Sequence, residues 1–340
     1  MRKVGIVLIN LGTPDEPKRS AVDRYLRQFL LDRRVIDIPW LQRQLLVRGI
    51  IVPFRAGNST KLYQQLWTDE GSPLKIYGEI VRDAIQEKVG PDTPVVLAMR
   101  YQNPSVREAL KALWEARVTE IIVFPMFPQY ASASTGSALE AIMLEAARQE
   151  VIPSMTVIQD YYDHPAFIDV IVDHANQFDL RSYDHFLFSY HGIPQRQLVK
   201  ADIGTHCLQN ADCCRTLTLK NRHCYSAQCY ATTNALVEQL KLREDQYTTC
   251  FQSRLGKDPW TQPYTSQVLK ERAAKGDRKI LVFSPAFVAD CLETTIEVGV
   301  EYQEEFEELG GERLDLVPSL NDDPKWIEAI LQIIDERANR

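Results

Sequence analysis

The chain has 340 residues, of which 45% are apolar and 25% charged, a balance that excludes disordered and fibrous classes. Thirty-nine Lys and Arg against 46 Asp and Glu give a net charge of −7, the wrong sign for a general nucleic-acid binder. No stretch of about 18 uncharged apolar residues exists, so no transmembrane helix is expected, and MRK leads straight into Val4–Leu8 without a signal-peptide pattern, so a cytosolic protein is expected.

In chain order, the β-branched run Val4–Leu11 predicts a first strand, ending in Asn10-Leu11-Gly12-Thr13-Pro14. Ile38–Phe54 is apolar with Arg43 and Arg48 interleaved. It reads either as an amphipathic lip facing a membrane or a hydrophobic ligand, or as a core helix with its two arginines exposed. Strands follow at Val95–Met99, Thr119–Met126 and Met155–Gln159, with helix-period stretches at Ser105–Glu115 and Ser137–Arg148. A second set of strands is predicted at His185–Tyr190, Tyr247–Gln252, Lys279–Ser284 and Leu314–Val317, with helices at Ala231–Leu240 and Thr265–Lys275. Strands alternating with helices imply βαβ units and parallel sheets covered on both faces. The length is that of two domains or one large one. Four strands fall in each half, with the join near Asp160–Asp184 and no repeat at the level of sequence. The expected domains are 1–165 and 166–321, with a C-terminal helix at about 322–340 (Pro324–Arg340) folding back onto the first.

In open α/β sheets ligands bind beyond the carboxyl ends of the strands. Those ends supply Arg100 and Tyr101, the run Tyr130 to Ser134, His191-Gly192, Gln252-Ser253-Arg254, and Asp290 with Glu293. No G-x-G-x-x-G, Walker lysine loop or G-x-S-x-G elbow is present, so no nucleotide is expected. An imidazole at a strand end, such as His191, either accepts a proton or binds a metal, or is hydrogen-bonded and structural. Glu293, Glu297 and Glu301 recur every fourth residue and form a ridge on one helix face. That ridge either handles cations and protons or is a solvated acidic face. Five of the seven cysteines, Cys207, Cys213, Cys214, Cys224 and Cys229, fall in the segment of about 205–229. In a reducing compartment such a group reads as metal binding before disulfides.

Taken together these residues resemble the ferrochelatases, which insert ferrous iron into a porphyrin to make haem. The similarity runs through INLGTPDEP, FLLDRRVIDIP, GSPLKIY, MRYQNPS, FPQYASASTGS, FSYHGIPQR, TCFQSRLGKDPW and PAFVADCLET. It implies two Rossmann-like domains, each with a four-stranded parallel sheet flanked by helices, and an active-site cleft between them. It implies that His191 and Glu293 carry the iron and proton chemistry, and that Glu297 and Glu301 lie on a π-distorted helix as a path for ions or protons. It places Leu11, Arg100, Tyr101, Tyr130, Ser132 and Ser134 around the porphyrin, under a lip formed by residues 38–54 that is also a candidate for peripheral membrane contact. The implied partners are porphyrin and ferrous iron; the oligomeric state is left open, with a monomer favoured.

The cysteine-rich segment departs from many members of that family. Some bacterial ferrochelatases hold a [2Fe–2S] cluster on such a piece, and four thiolates suit one. Five are present, and Cys229 alternatively belongs to the helix that follows. Structural zinc, with His206 or His223, and unliganded thiols are the other readings. Asp15 stands where a coproporphyrin-inserting form is expected to carry tyrosine, which favours protoporphyrin. A cobalt chelatase of corrin synthesis fits the length and the QSRLGKDPW run poorly. A non-catalytic tetrapyrrole or iron carrier is the alternative outside enzymes.

Overall fold

The computed structural model describes residues 2–210, 212–256 and 258–338. The chain divides into two compact units, one of residues 1–127, 131–160 and 321–340, the other of residues 128–130 and 161–320. In the first, strands β1 (Val4–Asn10), β2 (Val95–Met99), β3 (Glu120–Pro125) and β4 (Ser154–Val157) form a parallel sheet of order β2-β1-β3-β4. In the second, β5 (His185–His191), β6 (Tyr247–Gln252), β7 (Lys279–Phe283) and β8 (Arg313–Leu316) form a parallel sheet of order β6-β5-β7-β8. The two units therefore share one topology without a repeated sequence.

The strands form where they do because parallel strands covered on both faces must be apolar almost throughout. β1, VGIVLIN, is buried from Gly5 to Asn10. Glycine at position 5 is a packing requirement, since a Cβ there would come within 2.9 Å of the Leu113 side chain. The helix Val106–Glu115 opens on a capping box: the Ser105 hydroxyl accepts from the Glu108 N–H, and the Glu108 carboxylate accepts from the Ser105 N–H. The helix Pro324–Ala338 belongs to the first unit, where fully buried Trp326 packs on Phe124 of β3.

Two readings of the helices change. Tyr225–Leu240 begins six residues before the predicted Ala231. Its first turns carry buried Ser226 and Gln228, and Gln228 spends its polar atoms on the Arg222 carbonyl and the Tyr130 N–H, so no apolar period marks them. The stretch 38–54 forms the helix Trp40–Leu46, a π-helical turn at Val47–Ile51 and the start of the helix Val52–Leu66. The core-helix reading with both arginines exposed is wrong. Arg43 is buried and donates to the carbonyls of Ile36 and Ile38, while Trp40, Leu41, Leu45, Ile50 and Phe54 face solvent, Phe54 at 82% exposure. Among the described residues no helix is long and apolar enough to cross a membrane.

His185, at the start of β5, is buried, and its Nε2 pairs with the Thr248 hydroxyl at 2.9 Å. Burial first, then the nearby charges of Arg272 and Lys275, push its pKa down to about 3. The unfolded chain binds this proton near pH 6.5 and the folded chain does not, so stability falls as pH drops from about 6.5 toward 3. His185→Gln, which keeps a partner for Thr248, is expected to be less sensitive to acid. Between about pH 7 and pH 5 it should lose about 2 kcal/mol less stability than the parent, read from urea midpoints. Equal losses would show that His185 does not titrate on unfolding.

Candidate active site

A chain that lays β6 to one side of β5 and β7 to the other creates a switch point at the carboxyl ends of β5 and β7, where open α/β folds bind ligands. His191 is the last residue of β5. Glu293 lies in the first turn of the helix that follows β7.

The backbone around His191 is pinned. The Gly192 N–H donates to the Gln252 carbonyl at 2.7 Å, and the His191 carbonyl accepts from the Tyr225 hydroxyl at 2.8 Å. A Cβ on residue 192 would lie 2.9 Å from the Ser253 carbonyl oxygen, so only glycine lets these strand ends approach so closely. The His191 Nδ1 lies 2.6 Å from the Gly192 carbonyl oxygen. A carbonyl only accepts, so Nδ1 carries the proton, and in the neutral ring the Nε2 lone pair is left for a proton or a metal. The half-buried ring lies near the Trp260 and Phe287 rings, each 6.4 Å away between centroids.

The glutamate ridge stands on a π-helix, Leu292–Glu301. Its i→i+5 bonding widens the turn, so a spacing of four falls just short of one turn and keeps Glu293, Glu297 and Glu301 in file. The three carboxylates differ in environment. Glu297 is fixed by donors: Ser253 Oγ and Gln252 Nε2 on Oε2, and the Tyr302 hydroxyl on Oε1 at 3.1 Å. Ser253 reaches it from a left-handed backbone conformation, with φ of 58°. Glu301 has its pKa raised, by burial first and then by the charges of Glu297 and Glu304. Cys291, buried just ahead of Glu293, is a neutral thiol because burial and that carboxylate both push its pKa up.

Gln252 joins the two halves of this site. Its backbone carbonyl holds Gly192, and its side-chain amide donates to the Glu293 carbonyl at 3.1 Å and to the Glu297 carboxylate at 3.2 Å. Its Oε1 accepts from Ser189 at 2.9 Å. The sequence reading placed Gln252 at a strand end and gave it no role. The only available signal was an amide at the end of a buried strand, where every polar atom needs a partner.

The predicted porphyrin-pocket residues, Tyr130 apart, lie in the first unit, where Arg100 and Tyr101 belong to a polar network around Asp32. The buried Asp32 carboxylate accepts from Arg100 at 2.7 Å, from the Tyr101 hydroxyl at 2.9 Å and from Ser137 Oγ at 2.5 Å. Burial opposes its charge, but these donors and the Arg34 N–H hold its pKa below the usual range. Tyr101 is therefore an interior residue of this unit, and Arg100 remains partly exposed. Ser132 accepts from Arg34 Nη1 at 3.0 Å within a π-helical turn, Ser132–Gly136, which also holds Ser134. Leu11, at the end of β1, gives its carbonyl to the Tyr101 N–H. Tyr130 belongs to the second unit, its N–H held by Gln228 Oε1 at 2.7 Å. Asp32 had no assigned role in the sequence.

All seven cysteines are free. Three of the five in the cysteine-rich segment stand in a row of sulfur contacts. Cys213 Sγ is 3.5 Å from Cys214 Sγ, and Cys214 Sγ is 3.8 Å from Cys224 Sγ. Burial first, and then the charges of Cys214 and Cys213, push the Cys207 thiol up to about 11. The backbone N–H groups of His206 and Cys207 converge on the Asp202 carboxylate, both at 2.8 Å, which fixes that end of the loop. Cys224 is held below the ordinary thiol range, first by its hydrogen bond with Cys214, and it sits at a helix N-terminus, which acts in the same sense. Cys229 is separate. It is fully buried inside the helix Tyr225–Leu240 and contacts the Tyr225 hydroxyl. His206 Nε2 is committed to the Cys213 carbonyl at 3.3 Å. As the side chains stand, no group of three or more His, Cys, Asp or Glu among the described residues closes around one metal position.

With these features in place, the comparisons with known proteins decide the family. The ferrochelatase family model matches residues 3–338. The chain belongs to the ferrochelatase family. It is 45% identical over 335 residues to a ferrochelatase of Coxiella burnetii strain Dugway 5J108-111, covering 97% of this chain and 93% of that one. It is 44% identical over 333 residues to a ferrochelatase of Legionella pneumophila strain Lens, covering 98% and 99%. Among solved structures, SirB from Bacillus subtilis with Fe3+ superposes with a TM-score of 0.53 at 11% identity, covering 99% of this chain and 96% of that one. That likeness is one of fold alone, and it is the two-sheet arrangement of a chelatase.

Proposed function

We propose that the protein inserts ferrous iron into protoporphyrin IX and releases two protons, the reaction of its family. The observation that carries this reading is the His191 ring at the β5–β7 switch point, with Nδ1 tied to a carbonyl and Nε2 bare, on a chain that matches the family from end to end. The free macrocycle holds two pyrrole N–H protons. Both must leave as the dication enters, so that a neutral porphyrin and Fe2+ give a neutral haem and two H+. The bare Nε2 of His191 accepts a pyrrole proton, the role of a positioned general base. Carboxylate and imidazole donors suit ferrous iron, which lies low in the affinity order and so is given up readily to the ring. Glu293, held by the Gln252 amide on its carbonyl, stands beside it in this scheme. Glu297 is a carboxylate fixed by donors and Glu301 one whose pKa is raised, and together they conduct iron or protons along the ridge.

Leu11, Arg100, Tyr101, Tyr130, Ser132 and Ser134 are the proposed porphyrin surroundings, with Tyr101 acting through Asp32 and Arg100 rather than touching the ring itself. Asp15, which pairs with Asn103 and Arg24, stands where the coproporphyrin-inserting form is expected to carry tyrosine, and that residue identity supports protoporphyrin. The exposed Trp40, Leu41, Leu45, Ile50 and Phe54 support a lip that meets the apolar macrocycle or a membrane surface from the cytoplasmic side.

The sulfur group supports a bound [2Fe–2S] cluster on Cys207, Cys213, Cys214 and Cys224. Two thiolates on one tetrahedral metal, at about 2.3 Å each, stand about 3.8 Å apart, close to the spacing of Cys214 and Cys224. When bound, the cluster supplies folding free energy to a loop with few large apolar residues. Zinc is the second reading, weakened by the commitment of His206 to a carbonyl.

The test is an absorption spectrum and metal analysis of protein purified without air, followed by an insertion assay with ferrous iron and protoporphyrin IX. The expected result is an active, red-brown protein that loses its colour in Cys207→Ser. Colourless protein with stoichiometric zinc would overturn the cluster, and porphyrin binding without insertion would overturn the enzyme in favour of a carrier.

A further inference from the structure

We propose that Tyr225 ties the state of the cysteine group to His191, so that a change at the sulfurs alters which ring nitrogen of the imidazole carries the proton. This rests on the reading of His191 as the proton acceptor. Tyr225 is buried, and its hydroxyl donates to the His191 carbonyl at 2.8 Å across 34 positions of sequence. It is also the first residue of the helix Tyr225–Leu240, directly after the helix cap Cys224, whose sulfur lies 3.8 Å from that of Cys214. One residue therefore stands between the sulfur group and the base.

The chain of causes is short and each link is geometric. The peptide between His191 and Gly192 is held at both ends, its carbonyl by Tyr225 and its N–H by the Gln252 carbonyl. The next carbonyl, that of Gly192, is the acceptor that keeps the proton on Nδ1. Rotation of the first peptide swings the second carbonyl, because glycine has no side chain to resist it. If Cys224 shifts when the sulfur group gains or loses its metal or is oxidised, the first turn of the helix shifts with it and Tyr225 moves. The Gly192 carbonyl then leaves Nδ1, the proton redistributes to Nε2, and the lone pair needed for a pyrrole proton is lost. Cys229, against the same hydroxyl, packs Tyr225 from the helix side. Tyr225 is thus a positioning residue, and Cys229 supports it.

The experiment reads the His191 tautomer directly, by long-range proton–nitrogen correlation on nitrogen-15-labelled protein at mildly alkaline pH, with the signal assigned by its loss in His191→Asn. It compares the parent with Tyr225→Phe, Cys214→Ser and the double variant. Cys213→Ser replaces Cys214→Ser should that protein not fold, and it also serves as the control that alters the sulfur group without the contact Cys214 makes to Ser226 of the helix. The parent is expected to hold Nδ1–H. Each single variant should raise the share of Nε2–H at least about twofold, and the double variant should match Tyr225→Phe alone, as for two changes on one path. In turnover, kcat should fall about tenfold in Tyr225→Phe with the KM for porphyrin within about twofold, the mark of a lost positioning effect. An unchanged tautomer in Tyr225→Phe, or a cysteine effect that survives in the Tyr225→Phe background, would overturn the coupling. The tautomer is read without substrate, so a protein that fails to insert iron yet shows the coupled shift overturns the proposed reaction and leaves the link standing.

Discussion

His191→Ala abolishes iron insertion, with turnover down at least about a hundredfold, the lower range for loss of a positioned base, while the fold persists. The ring is half-buried at the end of β5, and its aromatic neighbours Trp260 and Phe287 are 6.4 Å away, so truncation opens little of the core. The carbonyls and N–H groups that pin residues 191 and 192 belong to the backbone and survive the change. Porphyrin binding, followed by quenching of tryptophan fluorescence, is expected to remain. Near-normal turnover in this variant would remove His191 from the chemistry, and loss of a cooperative unfolding transition would show that its role is structural.

Glu293→Gln lowers turnover by more than about tenfold, below even the low end of what a positioned acid–base group contributes. Glu301→Gln, two turns further along the π-helix, does less. The two variants are separable by pH as well. The raised pKa of Glu301 means that it takes up a proton at higher pH than an ordinary carboxylate as the solution is acidified. Its anion is then lost early, and iron passage over the ridge weakens on the acid side. Glutamine imitates the protonated form, so Glu301→Gln should flatten that acid limb of the rate profile, whereas Glu293→Gln should depress the rate at every pH. If Glu301→Gln proved the more damaging, the ridge would be read in the opposite direction, with Glu301 nearest the reacting centre.

Much of this was legible in the residue order. The eight strands stand where β-branched runs placed them, within a residue or two, because strands buried on both faces admit few polar residues and so announce themselves. The candidate pair His191 and Glu293 followed from strand ends and from motif resemblance. The supports of that pair did not. Gln252, Ser253 and Tyr225 each act on residues 34 to 44 positions away, and nothing in their local sequence names the partner. The start of the Tyr225 helix was hidden for the same reason, since its buried polar residues are satisfied by distant backbone groups.

By itself, then, the sequence determined the alternation of strand and helix, the parallel sheets that alternation requires, the membership of a glutamate file on one helix face and the crowding of five cysteines into one segment. These are properties of period and spacing, which local steric preference and the hydrophobic effect read out directly. Only the tertiary structure decided which ring nitrogen of His191 is bare, that Glu297 is clamped by three donors while Glu301 is not, that Arg43 is buried while Trp40 and Phe54 face water, and that the sulfurs of Cys213, Cys214 and Cys224 stand in contact. Those outcomes depend on hydrogen bonds and burial between segments far apart in the chain, and such partners are chosen by packing, after the elements have formed.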